Sequence, residues 1–91
     1  MVQVKWTKRA LRDVREIYDF IAKDSQYYAR LQVEKICESV SNLVPLPELG
    51  HYLPEFPDSP YKQILCDNYR IIYRFQKEQM FIYIIAVVHG K

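Results

Sequence analysis

All five prolines of this chain fall between residues 45 and 60, and that block separates two halves of opposite character. Proline removes a backbone donor and fixes φ, so neither a helix nor an interior strand survives five of them in sixteen residues. Before the block the apolar residues recur at helical spacing. Positions 10, 11, 14, 17, 18 and 21 make one stripe, and Ala29, Val33, Ile36, Cys37, Val40, Leu43 and Val44 make a second, longer one. Thr7 suits the cap of the first helix, and Asp24-Ser25 supply a break and a cap for the second. A break this short predicts an antiparallel helical hairpin.

After the block the pattern turns to strands. "YKQILC", "YRIIYRF" and "MFIYIIAVV" are short β-branched and aromatic runs, separated by Asp67-Asn68 and by the polar stretch "QKEQ". They predict a three-stranded antiparallel meander. The last run is apolar on both faces, as a central strand is, so it requires another neighbour. Val2-Gln3-Val4-Lys5-Trp6 alternates and is the one candidate. With 91 residues, neither half holds enough apolar surface to form a core alone. The expectation is a single α+β domain over 1–91: an N-terminal strand, the helix hairpin, then the meander, with both helices on one face of a four-stranded sheet.

Composition narrows the function classes. The longest apolar run, at 80–88, is less than half of what a membrane-spanning helix needs, and "VQVKW" follows Met1 without an apolar leader. The expectation is a cytoplasmic chain without membrane contact, its two cysteines, Cys37 and Cys66, buried and reduced. Metal-ligand spacings, a glycine-rich phosphate loop and a nucleophile elbow are absent, so no cofactor or metal is expected. Net charge is +2, but its distribution is uneven. Lys5, Lys8, Arg9, Arg12 and Arg15 crowd the start against Asp13 alone, residues 44–60 carry only acids, and residues 61–91 return to net positive. Basic ends around an acidic middle suit an acidic or polyanionic partner; a solvated helix face gives the same pattern.

The run "NYRIIYRF" carries the sharpest question. Alternation puts Tyr69, Ile71, Tyr73 and Phe75 on the face that meets the helices and Arg70, Ile72 and Arg74 on the other. In one register Lys62 reaches the arginine face, and His89 falls at the strand end that would form its rim. Arginine forks match phosphate and carboxylate, and histidine moves protons near neutral pH. The set therefore reads as a shallow basic site, or as surface residues whose stems cover apolar sheet. Glu48, Glu55 and Asp58 in the proline block would supply a general base if that loop folded over the sheet.

Four stretches in this order resemble the RelE/ParE superfamily of type II toxins along the whole chain: "VKWTKRALRDVREIYDFI", "LPELGHYLPEF", "NYRIIYRF" and "VVHGK". The resemblance implies a toxin held inactive by a cognate antitoxin, whose acidic, amphipathic C-terminal segment covers the toxin by helix-in-groove docking and strand addition. Arg70, Arg74, Lys62, Lys91, Arg12 and Arg15 would then bind target or antitoxin. RelE-like members cut mRNA on the ribosome, and in that branch Arg70, His89 and Lys62 would be the catalytic set. ParE-like members poison DNA gyrase and have no catalytic residues. The long hairpin, the "P-x-L-G" loop and the ending "VVHGK" look more like this second branch, although Lys62-Gln63 stands where many relatives carry Arg-Glu. A third reading is a non-toxic module that only binds antitoxin.

Overall fold

The structure, a computed structural model, describes residues 1–90. Strand β1 (Gln3–Trp6) leads into helices α1 (Lys8–Ala22) and α2 (Gln26–Ser41), and the proline-rich segment follows. It contributes the two-residue strand β2 (His51–Tyr52), after which come β3 (Lys62–Cys66), β4 (Tyr69–Gln76) and β5 (Phe81–His89). The sheet order is β1-β5-β4-β3-β2. Strand β1 pairs parallel to β5, with Lys5 beside Tyr83. The other neighbours are antiparallel. The helix hairpin, the meander and the N-terminal strand beyond its last member match the sequence expectation. The sheet has five strands rather than four, because two residues inside the proline-rich segment pair with β3.

Local chemistry sets the boundaries. The Thr7 hydroxyl accepts the Ala10 amide at 3.1 Å and donates to the Ile84 carbonyl at 2.8 Å, so one side chain caps α1 and fixes it to β5. Ser25 caps α2 by accepting the Tyr28 amide. Asp67 adopts φ 55° at the β3–β4 turn, and Met80 adopts φ 58° after a short 3-10 turn, so β5 begins at Phe81. Ile36, Leu43, Ile71, Tyr73, Ile82 and Ile84 are fully buried in the core between the helix hairpin and the sheet, each aliphatic side chain contributing about 1.5–3 kcal/mol.

The β4–β5 ladder contains one irregularity. Ile72 faces Ala86 while Tyr73 faces Ile84, so Ile85 is an extra residue in β5. Such a bulge reverses the facing of everything beyond it. Ile82 and Ile84 point toward the helices before it, and Val87 and His89 do so after it.

Candidate functional site

Among the described residues, the face of the sheet away from the helices carries no covering element apart from the edge of the proline-rich segment. Arg70 and Arg74 both stand on it, as alternation predicts: Arg70 between Leu65 and Val88, Arg74 beside Tyr83. Arg70 is the better anchored. Its Nη1 donates to Glu55 Oε2 at 2.8 Å and to Gln63 Oε1 at 3.0 Å, and its side chain is 17% exposed. Its Nε is buried and has no hydrogen-bond partner. The Glu55 carboxyl is held below its ordinary pKa, first because its own backbone amide donates to the carboxylate and then because Arg70 does. Arg74 makes no ion pair among the described residues and does not engage Glu78.

Two other residues expected around this face are elsewhere. Lys62 stands opposite Tyr73 and so shares the helix-side parity. Its Nζ donates to the Glu48 carbonyl at 3.3 Å and lies 4.8 Å above the Tyr52 ring. The residue of β3 that reaches Arg70 is Gln63. His89 stands opposite Tyr69, packs edge-to-face on it at 5.3 Å, and opens into a groove with Asp13, Glu16 and Phe20. Uninterrupted alternation from Phe81 would have put His89 on the Arg70 face; the Ile85 bulge sends it to the other. The basic site of Arg70, Arg74, Lys62 and His89 does not assemble. Lys91 lies outside the described residues.

A different set gathers on the open face. Lys5, from β1, holds its Nζ 4.5 Å from the Phe81 ring, and Phe81 lies 5.8 Å from Tyr83. Lys5 and Arg74 are the two cross-strand neighbours of Tyr83. Sequence reasoning missed this cluster, because Lys5 joins it only through parallel pairing across 78 residues of chain. It named Glu55 only as one acid among three in the loop.

Arg12 and Arg15 are exposed on α1, across the sheet from Arg70, so the basic ends do not form one face. Arg15 and Asp19 border an apolar groove of about 490 Å³ between the helices and β1, lined by Trp6, Leu11, Val14, Tyr18 and Val33. Cys37 opens into this groove and is exposed, against expectation, while Cys66 is buried. Helix α2 turns only its Ala29, Ile36 and Val40 edge fully inward, so Val33 and Cys37, on the flank of its apolar stripe, are left at the groove.

The fold is shared with known toxins. A chain of the chromosomal ParDE toxin–antitoxin structure from P. aeruginosa is 22% identical, with a TM-score of 0.80 over 100% of this chain and 98% of that one. The RelBE2 toxin–antitoxin complex of Mycobacterium tuberculosis contains a chain 23% identical, with a TM-score of 0.65 over 97% and 96%. The isolated E. coli RelE toxin is 17% identical, with a TM-score of 0.69 over 100% and 86%. At these identities the likeness is one of fold. No curated protein matches the sequence. The family model that matches is that of the ParE toxin of type II toxin–antitoxin systems, and it spans residues 4–91. The chain belongs to the ParE toxin family.

Proposed function

We propose that this toxin acts as a non-catalytic poison of DNA gyrase and is neutralised by a cognate antitoxin that covers the α1–α2–β1 groove. The observation that carries the reading is the separation of Arg70 from Lys62 and His89 by the sheet. Cleavage of RNA through its ribose 2′-hydroxyl needs a proton acceptor and a proton donor within hydrogen-bond reach of one phosphate. Around Arg70 the groups within reach are Glu55 and Gln63. A carboxylate held below its ordinary pKa is a weak base at neutral pH, and glutamine exchanges no proton.

The antitoxin part of the proposal rests on the groove beside β1. Apart from Arg15 and Asp19 its lining is apolar, which suits the apolar face of an amphipathic helix. Strand β1 is a sheet edge next to this groove, so an extended segment has backbone donors and acceptors to pair with.

The Glu55–Arg70 pair also gives the nuclease reading a foothold, as a base beside a cation without a proton donor. Two assays on the purified toxin separate the readings. Loss of gyrase supercoiling with mRNA left intact on translating ribosomes is expected. Codon-positioned cleavage abolished by Arg70→Ala, with supercoiling unaffected, would sink the gyrase proposal. Normal growth on induction of well-expressed toxin without antitoxin would sink both.

A further inference from the structure

Helix α1 borders two grooves. Leu11, Val14, Arg15 and Tyr18 belong to the one beside β1, while Asp13, Glu16, Ile17 and Phe20 line a second, of about 400 Å³, against the end of β5. At about 100° per residue the two sets lie on opposite flanks of the helix. The second groove takes two of the helix's three acids, and none of its four bases lines it.

Asp13 is only partly committed. Its contacts with the Val87 amide at 2.9 Å and with Arg9 Nε at 3.5 Å both use Oδ2, so Oδ1 keeps its acceptor capacity. The Arg9 side chain is 63% exposed, and an ion pair so solvated cancels little of the charge. Glu16 is exposed and makes no ion pair among the described residues.

Tyr69 supplies an independent sign. It is 9% exposed and lines the groove, yet its hydroxyl has no hydrogen-bond partner among the described residues, whereas that of Tyr73 has two. Burial, and then Asp67, raises its pKa, so the phenol stays protonated and its oxygen keeps its lone pairs for an incoming donor. Ile17 and Val87 give the groove an apolar wall, and the His89 ring stands edge-to-face to Tyr69 at 5.3 Å. At the mouth the exposed Phe20 ring lies 5.7 Å from the protein's own Lys23 ammonium, so this ring already attracts a cation. Two carboxylates and a phenol oxygen beside an apolar wall fit a positive head group on an aliphatic stem. The stem lies along Ile17 and Val87, and the head donates to the three oxygens.

We infer that this groove is a binding site for a long-stemmed organic cation, an alkylguanidinium or alkylammonium group, held by Asp13, Glu16 and Tyr69. Its source is an arginine or lysine side chain of a partner chain, or a free amine. The inference rests neither on gyrase inhibition nor on what occupies the groove beside β1.

The test is a titration of the isotope-labelled toxin followed through its amide chemical shifts. One probe is acetyl-arginine methylamide, an arginine as a chain presents it, and the other is agmatine, a free guanidinium. Saturable shifts at Phe20, Tyr69, Val87 and His89 are expected with at least one of them. A response to the methylamide alone assigns the site to a partner's side chain, and a response to agmatine alone assigns it to a free amine. Glu16→Gln is expected to weaken binding roughly two- to fivefold. Tyr69→Phe should weaken it about tenfold without lowering the unfolding midpoint, because its hydroxyl has no bond in the fold to lose. Asp19→Asn, which removes the α1 acid of the other groove, should leave the affinity unchanged. Lack of saturable shifts with both probes would overturn the site, as would an equal loss on Asp19→Asn, which would reduce the effect to overall charge. Shifts reproduced by uncharged acetyl-norleucine methylamide would overturn the cationic assignment.

Discussion

Tyr73 shows how a single buried side chain can set the position of a loop that carries function. Its hydroxyl accepts the Gly50 amide at 2.8 Å and donates to the Pro47 carbonyl at 2.9 Å, so both ends of the "PELG" stretch hang on one oxygen. Burial raises the phenol's pKa, keeping it protonated as that geometry requires. Gly50 is needed for the same approach, since a Cβ there would lie 2.6 Å from the Gln63 carbonyl and 2.7 Å from the Tyr73 ring. Tyr73→Phe leaves a buried amide without a partner and is expected to cost about 1–3 kcal/mol in urea unfolding. Gly50→Ala should cost more, because backbone rather than a flexible side chain must give way. Glu55 makes a second residue-scale prediction. Its ordinary value is 4.5, lowered in the folded protein by its own backbone amide and then by Arg70. Its contact with Arg70 is therefore complete at neutral pH, begins to fade only once pH drops below that ordinary value, and is lost as pH falls through the lowered one. A carbon-detected titration of the Glu55 carboxyl should show a midpoint below 4.5, and Arg70→Gln should move it only part of the way back, since the backbone amide remains. A midpoint unchanged by Arg70→Gln would contradict the contact.

Among the elements, β5 decides which residues share a face. Strand β1 ends at Trp6 while β5 runs on to His89, so the last residues of β5 lose their neighbour on that side. Asp13 on α1 takes its place: Oδ2 accepts the Val87 amide at 2.9 Å and also lies 3.5 Å from Arg9 Nε. Asp13→Ala should leave the amide of a buried residue unpaired, destabilise by about 1–3 kcal/mol, and speed hydrogen exchange at Val87 before other sites in β5. Asp13→Asn, which keeps an acceptor oxygen, should recover most of the loss. A Val87 amide that exchanges no faster in Asp13→Ala would rule the cap out. The same strand explains what could be read from the sequence. Both helices, their caps at Thr7 and Ser25, the meander and the facing of Arg70 and Arg74 follow from local period and turn chemistry, which the sequence displays directly. A bulge is one residue inserted into a run apolar on both faces, and "FIYIIAVVH" looks the same with or without it. The facing of His89 was therefore illegible. Lys62 went astray for a related reason, because strand register is set by a turn that can slip one residue. Strand β2 is too short to show a period at all. The reach of Glu55 depends on how a proline-rich segment lies over the sheet, and no local rule predicts that.

At the scale of the whole molecule, exposed apolar side chains lie on α1, at the start of α2 and in the proline-rich segment, and one of them borders the groove beside β1. Leu11 is 55% exposed at the groove between the helices and β1, and the exposed Cys37 thiol opens into the same groove. A helix pair that turns part of its apolar stripe outward loses stability it would gain by closing, and such a surface is retained where a partner covers it. Arg15 and Asp19 of α1 both border the groove, while Glu55 of the proline-rich segment reaches the opposite face of the sheet, at Arg70. The two surfaces are thus separable: one suited to an amphipathic protein segment, the other to an anion. Cys37 makes the first measurable without knowing the partner's structure. In the free toxin a thiol reagent should modify Cys37 and leave the buried Cys66 untouched until the protein unfolds. On the proposed reading, a cognate antitoxin added to the toxin should protect Cys37 in proportion to complex formed. Leu11→Asp places a charge in the groove at an exposed position, so it should leave the unfolding midpoint within about 0.5 kcal/mol of the unaltered protein and weaken the complex at least tenfold. Arg70→Gln, across the sheet, should leave that protection unchanged. Protection lost on Arg70→Gln and kept on Leu11→Asp would place the antitoxin on the open face, and the groove would then need another occupant.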